Sequence, residues 1–569
     1  LGSIVDTGDY GLKTSVNLDQ TITNAGTIDV TGTYLYNNFA NAISNNVYGI
    51  HIIGNATGNI TNSNIIDVTG AEAKSTDYRA TTGSTVGIKV DGTVTGSIIT
   101  NSNQINVLGG NASSAYDNAT IGYISGIEVD GTVTNSTIRN SGTIQLIGGD
   151  VTYNYDTAKS LNIIGINIHD SLINSTIINN DTIAVREGYM YDYDGISQRT
   201  NMGIYILSNL ASDSTITNNG LIDIRGVYNE AWGMSITQLY GSITNNTDKS
   251  ISVSTTTPSE AVGVKTQMHS GSEIINNGTI EAESQGNSNG LRLFNGDGGT
   301  VTNSGTIEAT INGEAHYYGV SIFDQSSNNI INNTYTNDTT YGKLIGNLDV
   351  GSTLNNAGLI SLPHNANGGN SAFVDNFTNV STGTLQIGLQ TDGTIGNTTY
   401  SQLLTSNATF EDGSTIDVNV LAASTNVAML AGTTLNDVVT VSGGSLTING
   451  TLNVTTNESS LLNFDYVVDG NTIDLVASQS STISDSIIAG GGNAPTKNAA
   501  TALTTISDNI GQYSQMSSTI ATLNTGFASN EARAAAVEST TPQTTSATVG
   551  AASQISNGIA GIVEQRQQA

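Results

Sequence analysis

The chain contains no cysteine in 569 residues, so no disulfide holds its fold. A long chain without cysteine suits an exported bacterial protein that stays unlocked until it has crossed a membrane. Charged residues make up 11% of it, low for a globular protein, with Ser, Thr, Asn and Gly in their place. Bases are scarcest: 16 Lys and Arg face 47 Asp and Glu, and the net charge of −31 argues against a nucleic-acid partner. No run of 18 apolar residues occurs, so the sequence carries no transmembrane helix. Aromatics are few and biased, with 22 Tyr against 8 Phe and 1 Trp.

What is present is repetition. A phrase of β-formers, Asn, a small residue and a second β run occurs eleven times. It reads TITNAGTIDV at 21–30, NITNSNIIDV at 59–68 and TIRNSGTIQL at 137–146, and closes with TLNNAGLI at 353–360. A second marker, Gly followed by alternating apolar and polar residues, precedes the phrase from Gly49 to Gly319; its spacing is 38, 39, 39, 38, 30, 30, 27 and 29. Each unit thus holds three short strands, and a chain too long for one compact core escapes that limit by stacking units. The expected fold is all-β: a three-faced right-handed parallel β-helix solenoid with a C-terminal β cap and an α-helical tail. The Asn residues at the corner after the second strand are expected to stack as an amide ladder: Asn24, Asn62, Asn101, Asn140, Asn218, Asn276, Asn303 and Asn355. Tolerance of a left-handed backbone is the expected second reason for Asn there, and for the Gly that follows it at Gly26, Gly142, Gly220, Gly278 and Gly305.

Texture divides the chain into three. Residues 1–360 carry the repeats, with protruding loops within 32–232. Residues 361–480 lose the Asn phrase but keep strand and turn signals, as expected of a solenoid end and cap. Residues 481–569 become rich in Ala, Thr and Ser, with apolar residues at Leu503, Ile506, Ile510, Tyr513, Met516, Ile520, Leu523 and Phe527 in steps of an amphipathic helix. A second stripe follows Pro542 at Val549, Ala552, Ile555, Ile559 and Ile562. Neither stripe is stable alone in water, so the tail calls for a partner surface or a channel.

These textures, in this order, resemble a bacterial type V autotransporter passenger. The likeness rests on FVDNFTNVSTGTLQIGL (373–389), ATFEDGSTIDV (408–418) and DYVVDGNTIDLVA (465–477), similar to that family's junction or autochaperone region. NAPTKNAATALTTISDNIG (493–511) and the segment 539–567 resemble the helical linker before its translocator barrel. The resemblance implies secretion to the bacterial cell surface through an outer-membrane barrel, which would be the chain's partner during export. The resemblance implies a barrel after this linker, where this sequence stops at Ala569, and a start at Leu1 fits the expectation of a removed signal peptide. Passengers of this family include adhesins, proteases and esterases, so no one activity follows.

Catalytic motifs are missing: there is no GDSG-like turn, no G-x-S-x-G and no H-E-x-x-H. His51 and His169 read as outward, solvent-facing residues, and His269, His316 and His364 are scattered. What interrupts the repeat is more informative. Five long loops, 32–48, 70–86, 109–125, 148–164 and 187–202, leave the same corner of successive coils, and a short sixth spans 225–232. They must stack into one ridge. It is rich in Tyr34, Tyr36, Tyr48, Tyr78, Tyr116, Tyr123, Tyr153, Tyr155, Tyr189, Tyr191, Tyr193 and Tyr228, with Asp77, Asp117, Asp156, Asp192 and Asp194 among them. Insertions on one face of a solenoid are often its binding face, and Tyr buries much area at little entropic cost. The same loops read equally as a lateral brace. The expectation is a surface structural or adhesive protein without enzymatic activity or bound cofactor, contacting its own copies, surface proteins or glycans; a Ca2+ site in the Tyr/Asp loops stays open. The alternatives are a self-assembling filament or sheath subunit, and a β-helix enzyme acting on polysaccharide through stacked carboxylates such as Asp192 and Asp194.

Overall fold

The computed structural model describes residues 4–6, 10–14, 16–153, 158–191, 200–227, 229–311, 319–363, 372–391, 398–420, 428–457 and 460–541. The protein is all-β with a short helical tail. It forms two compact units, 1–358 and 359–569.

The first unit is a three-faced parallel β-helix. On the first face the Gly-marked strands pair in register, Ile50 with Ile88, Ile88 with Ile127 and Ile127 with Ile166. On the second, Ile60, Ile99, Ile138 and Ile177 stack. On the third, Ile28, Ile66, Ile105, Ile144 and Ile183 stack. Alternation explains the burial: every second residue points inward and is fully buried, and the β-branched chains fill the core of each coil. Each such Ile contributes about 1.5–3 kcal/mol over leaving it exposed. The series starts one coil earlier than the marker spacing indicates, because Tyr10–Thr14 carries Gly11 and pairs Leu12 with Ile50. The marker glycine is required by close approach. A Cβ on Gly126 would lie 2.4 Å from Ile144 Cγ2 and 2.6 Å from the carbonyl oxygen of Gly165 in the next coil.

The Asn ladder is continuous through eleven coils. Asn24 Nδ2 donates to Asn62 Oδ1 at 2.8 Å, and the series continues through Asn101, Asn140, Asn179, Asn218, Asn245, Asn276, Asn303, Asn333 and Asn356 at 2.8–2.9 Å. All eleven are buried. Each amide is used twice over: Asn140 Nδ2 also donates to the Thr182 carbonyl at 3.1 Å. Asn355 is a correction. It bonds Asn332 Oδ1 at 3.0 Å in a parallel, outer pair, and its neighbour Asn356 occupies the ladder. Asn179, Asn245 and Asn333, each a member of an Asn doublet, complete the column. The residue two before the corner Gly is the ladder Asn, a rule that assigns Asn356 from Gly358.

The conformational reason for Asn is also corrected. Among the described residues no ladder Asn has positive φ. A stack of left-handed positions lies at the other corner, between the first and second faces, at Gly96 (φ 63°), Asn135 (φ 51°) and Asn174 (φ 45°), while at the ladder corner Asp248 (φ 59°) takes this conformation. The glycines after the ladder Asn serve close packing: a Cβ on Gly142 would fall 1.9 Å from the Asn103 carbonyl oxygen. Just past the left-handed corner runs a second buried ladder. The N–H of Ser97 donates to Ser136 Oγ at 3.0 Å, Ser136 to Ser175 at 2.9 Å, and Ser175 to Ser214 at 3.2 Å.

In the second unit, parallel stacking continues, Leu385 pairing with Ile360 and Ile416. It ends where Leu462–Asp469 and Thr472–Gln479 form an antiparallel hairpin whose second strand pairs antiparallel with Thr434–Val441. An antiparallel strand closes an edge that a further parallel coil would otherwise extend. Four helices follow: α1 (Ile483–Ala489), α2 (Ala494–Asp508), α3 (Ser517–Thr525) and α4 (Asn530–Thr540). Thr482, Asn493 and Ser529 cap α1, α2 and α4 through side-chain oxygens. The single helix expected over 503–527 is therefore two, broken after Asp508 and joined through a 3-10 turn at Ser514–Met516. The apolar stripe finds its partner within the unit: Ile487, Ala500, Ile520, Leu523, Ala534 and Val537 share a core with Leu461. Arg533 is fully buried there, donating to the Leu523 carbonyl at 2.6 Å and to Asn530 Oδ1 at 2.9 Å, and burial pushes its pKa down to about 10. The second stripe, 549–562, lies outside the described residues. Among the described residues no helix is long and apolar enough to cross a membrane.

Candidate functional site

The long loops form a ridge with its own secondary structure. The outgoing segments Leu35–Asn37, Ala73–Ser75, Ala112–Ser114, Val151–Tyr153 and Met190–Tyr191 pair in parallel as a five-stranded sheet. The returning segments Ala42–Ile43, Ala80–Thr81, Ala119–Ile121 and Ala158–Ser160 make a four-stranded one. Ala42, Ala73 and Ala80 pack together between them. Small inward residues let the two layers close, so the ridge is a packed lobe that carries its outer residues on a fixed frame.

Six of the tyrosines assigned to the ridge are surface residues: Tyr34, Tyr36, Tyr78, Tyr116, Tyr123 and Tyr189 are between 41% and 62% exposed. They are staggered rather than stacked; Tyr36 sits level with Lys74 and Ser113. Phe39 and Ile43, which the Tyr count passes over, are exposed on the first rung. Tyr153 and Tyr191 lie on ridge strands. Tyr155, Asp156, Asp192, Tyr193, Asp194 and Tyr228 lie outside the described residues. Tyr48 belongs to a different environment: it is buried and clusters with Tyr10, at 5.5 Å, and His51, at 4.3 Å between ring centroids, which also stack on each other at 5.6 Å.

That environment is a polar column beneath the ridge, which sequence reasoning missed. His51, Lys89, Glu128 and Asn167 occupy the same outward position of successive Gly-marked strands. Alternation sends them outward, yet all four are buried. In the first four of these coils every residue of the strand is buried, whereas Tyr205, after the fifth long loop, and Lys265, in a later strand, are partly exposed. The pKa of Tyr205 is raised by burial and then by the nearby Tyr123, a ridge residue. The reading of His51 as solvent-facing is thus corrected: it is 6% exposed, and its Nε2 meets Asp91 Oδ2 at 2.9 Å. The His169 side chain is partly exposed. The available signal was the 38–39 spacing itself, which supplies the chain length needed to cover an outer face.

Charges in the column are internally paired. Lys89 Nζ bonds Glu128 Oε1 at 2.6 Å and also Asp130 Oδ1, and His169 Nε2 lies 3.3 Å from Glu128 Oε1. Burial raises the Glu128 pKa, but the hydrogen bond from His169 and the Lys89 charge outweigh it and hold the carboxyl at about 2. Burial likewise disfavours the Lys89 ammonium, and the two carboxylates more than reverse this, raising its pKa. Glu128, Asp130 and His169 place their ligating atoms within 4.8 Å of one another, a spacing compatible with a divalent cation. The Lys89 ammonium bonds two of the three, so the chain supplies its own cation there. A carboxyl held at about 2 is ionised across physiological pH and has no proton to give as a general acid.

No family model and no curated protein matches this chain.

Proposed function

We propose that this protein is a structural or adhesive passenger of the autotransporter type, displayed at a bacterial surface, and that the outer face of the loop ridge contacts other copies or a target surface. The observation that supports this most directly is the division of labour in the ridge coils. Lys89 and Glu128 under the ridge pair with one another, while exposed aromatic residues are mounted on a packed two-layer lobe. Rigid Tyr side chains on a fixed frame suit recognition because little entropy is lost on contact. Secretion, outer-membrane localisation and export through a translocator barrel belong to the same reading and rest on the sequence resemblance. The version of self-assembly in which the tail docks on a neighbouring copy has less support, since α1–α4 bury their apolar stripe within their own unit.

The test replaces Tyr36, Tyr78, Tyr116 and Tyr123 with Ser and measures self-association by analytical ultracentrifugation and attachment of displaying cells to surfaces. Loss of both, with unchanged circular dichroism and melting, supports the reading. Attachment and association that survive intact would sink it.

A further inference from the structure

We infer a second recognition site, a polar trough on the third face that binds a linear neutral glycan. It is separate from the exposed tyrosines and does not depend on their role. The trough has a volume of about 390 Å3 and crosses four successive coils next to the corner from which the ridge loops depart. One column of its lining is Asp29, Asp67, Asn106 and Gln145; the other includes Leu108 and Ile147. In-register pairing aligns them: Asp29 with Asp67, Asp67 with Asn106, Asn106 with Gln145, and Leu108 with Ile147. In the fifth coil, Ala184 replaces the polar group and Arg186 follows Ile147, bonded to Asp223, which ends the trough.

Its chemistry selects the occupant. Backbone groups on this face are engaged in ladders between coils, so an extended peptide finds no open edge to pair with. The lining holds two carboxylates and no cation, which disfavours nucleic acid, phosphate and acidic polysaccharide. What remains is a line of carboxylate and carboxamide groups repeating every ~4.8 Å, suited to hydroxyl groups that recur along a polymer. Beside it, Leu108 and Ile147 are 43% and 38% exposed, an apolar strip for the C–H face of a sugar ring. A concave site with few polar groups and an apolar wall is the common form of a small-ligand site. Asn106 Nδ2 is held by Asp67 Oδ1 at 2.7 Å, which fixes its carbonyl oxygen as a free acceptor direction. Three coil intervals span about 14 Å, so a short run of sugar units fills the trough.

The experiment titrates the whole chain calorimetrically with neutral cello-, manno- and chito-oligosaccharides of increasing length, with a heparin oligosaccharide as the acidic comparison. At least one neutral series should bind, with affinity rising with length and then levelling once the trough is filled. The double variant Asn106→Ala/Gln145→Ala and, separately, Leu108→Asp should each weaken it by about tenfold or more, while Tyr36→Ser/Tyr116→Ser leaves it unchanged. Matching melting curves confirm that the variants fold. Absence of binding by every neutral series, equal binding by the trough variants, or preference for heparin overturns the proposal. Loss in the tyrosine variant alone would also overturn it, while leaving the ridge reading intact.

Discussion

Lys89 and Lys265 occupy the same outward position of the first face, one in a coil with a long loop and one in a coil without, and their environments act in opposite directions. Lys89 is clasped by Glu128 and Asp130, and its pKa is raised despite burial. Lys265 stands 3.5 Å over the Trp232 ring with Glu260 at 3.9 Å, and burial pulls its pKa down, only partly opposed by Glu230. One repeat position therefore hosts an ion cluster whose pairing outweighs burial under the ridge and a cation whose burial outweighs its pairing beyond it. The difference shows that the backbone beat sets where a residue stands, and the loops decide the medium it stands in.

The largest way to break this comparison is to remove one member of the buried cluster. Lys89→Met leaves Glu128 buried without its ammonium and should cost about 3 kcal/mol, read as a lower denaturant midpoint. Acid separates the halves without mutation. Glu128 titrates at about 2 in the folded protein against 4.5 for the free side chain, so the folded state binds fewer protons. Its stabilisation is complete above about pH 5 and is lost as pH falls towards 2. Glu308, in a coil without a long loop, has the opposite sign: burial, then Glu281 and Glu283, raise its pKa. Acidification through that raised pKa relieves a penalty before Glu128 is affected. Hydrogen exchange at pH 7, 5 and 3, corrected for intrinsic rate, should show 124–129 losing protection while 306–311 holds or gains. Simultaneous loss in both segments would contradict the assignment.

Smaller, and common to both regions, is the ladder. Asn140→Ala removes one amide and takes from Asn101 Nδ2 one of its acceptors, leaving the Thr143 carbonyl, at a cost of about 2 kcal/mol. Asn356→Ala should cost more than Asn355→Ala, since only the former interrupts the buried column; equal midpoints would restore Asn355 to the ladder. Gly126→Ala, where the new Cβ meets backbone as well as Ile144, should cost 1–3 kcal/mol, about as much as overpacking a core.

These residues also show what was legible beforehand. The three-strand period and the Asn column were readable because each recurs in sequence at the interval at which it recurs in space. Asn355 was misplaced because a doublet satisfies the same pattern in two frames, and only the distance to Gly358 separates them. The Ser97–Ser214 ladder went unread because Ser is abundant throughout and its hydroxyl pairs with backbone rather than with itself. His51 was misjudged for a different reason. Alternation gives its direction correctly, but its burial depends on loops packing over that face, a contact no local pattern encodes. The tail stripe was real, yet its partner was the neighbouring helices.

The smallest effect is the sharpest comparison. Lys265→Met gives up a cation–π contact of about 0.5–1 kcal/mol and also removes a cation that burial disfavours. The two changes oppose each other, and the midpoint should move by no more than about 0.5 kcal/mol. The same substitution at Lys89 is the one expected to cost several times more. If both variants melted alike, the ridge would not be altering the medium beneath it, and the burial of His51, Lys89, Glu128 and Asn167 would have no energetic consequence.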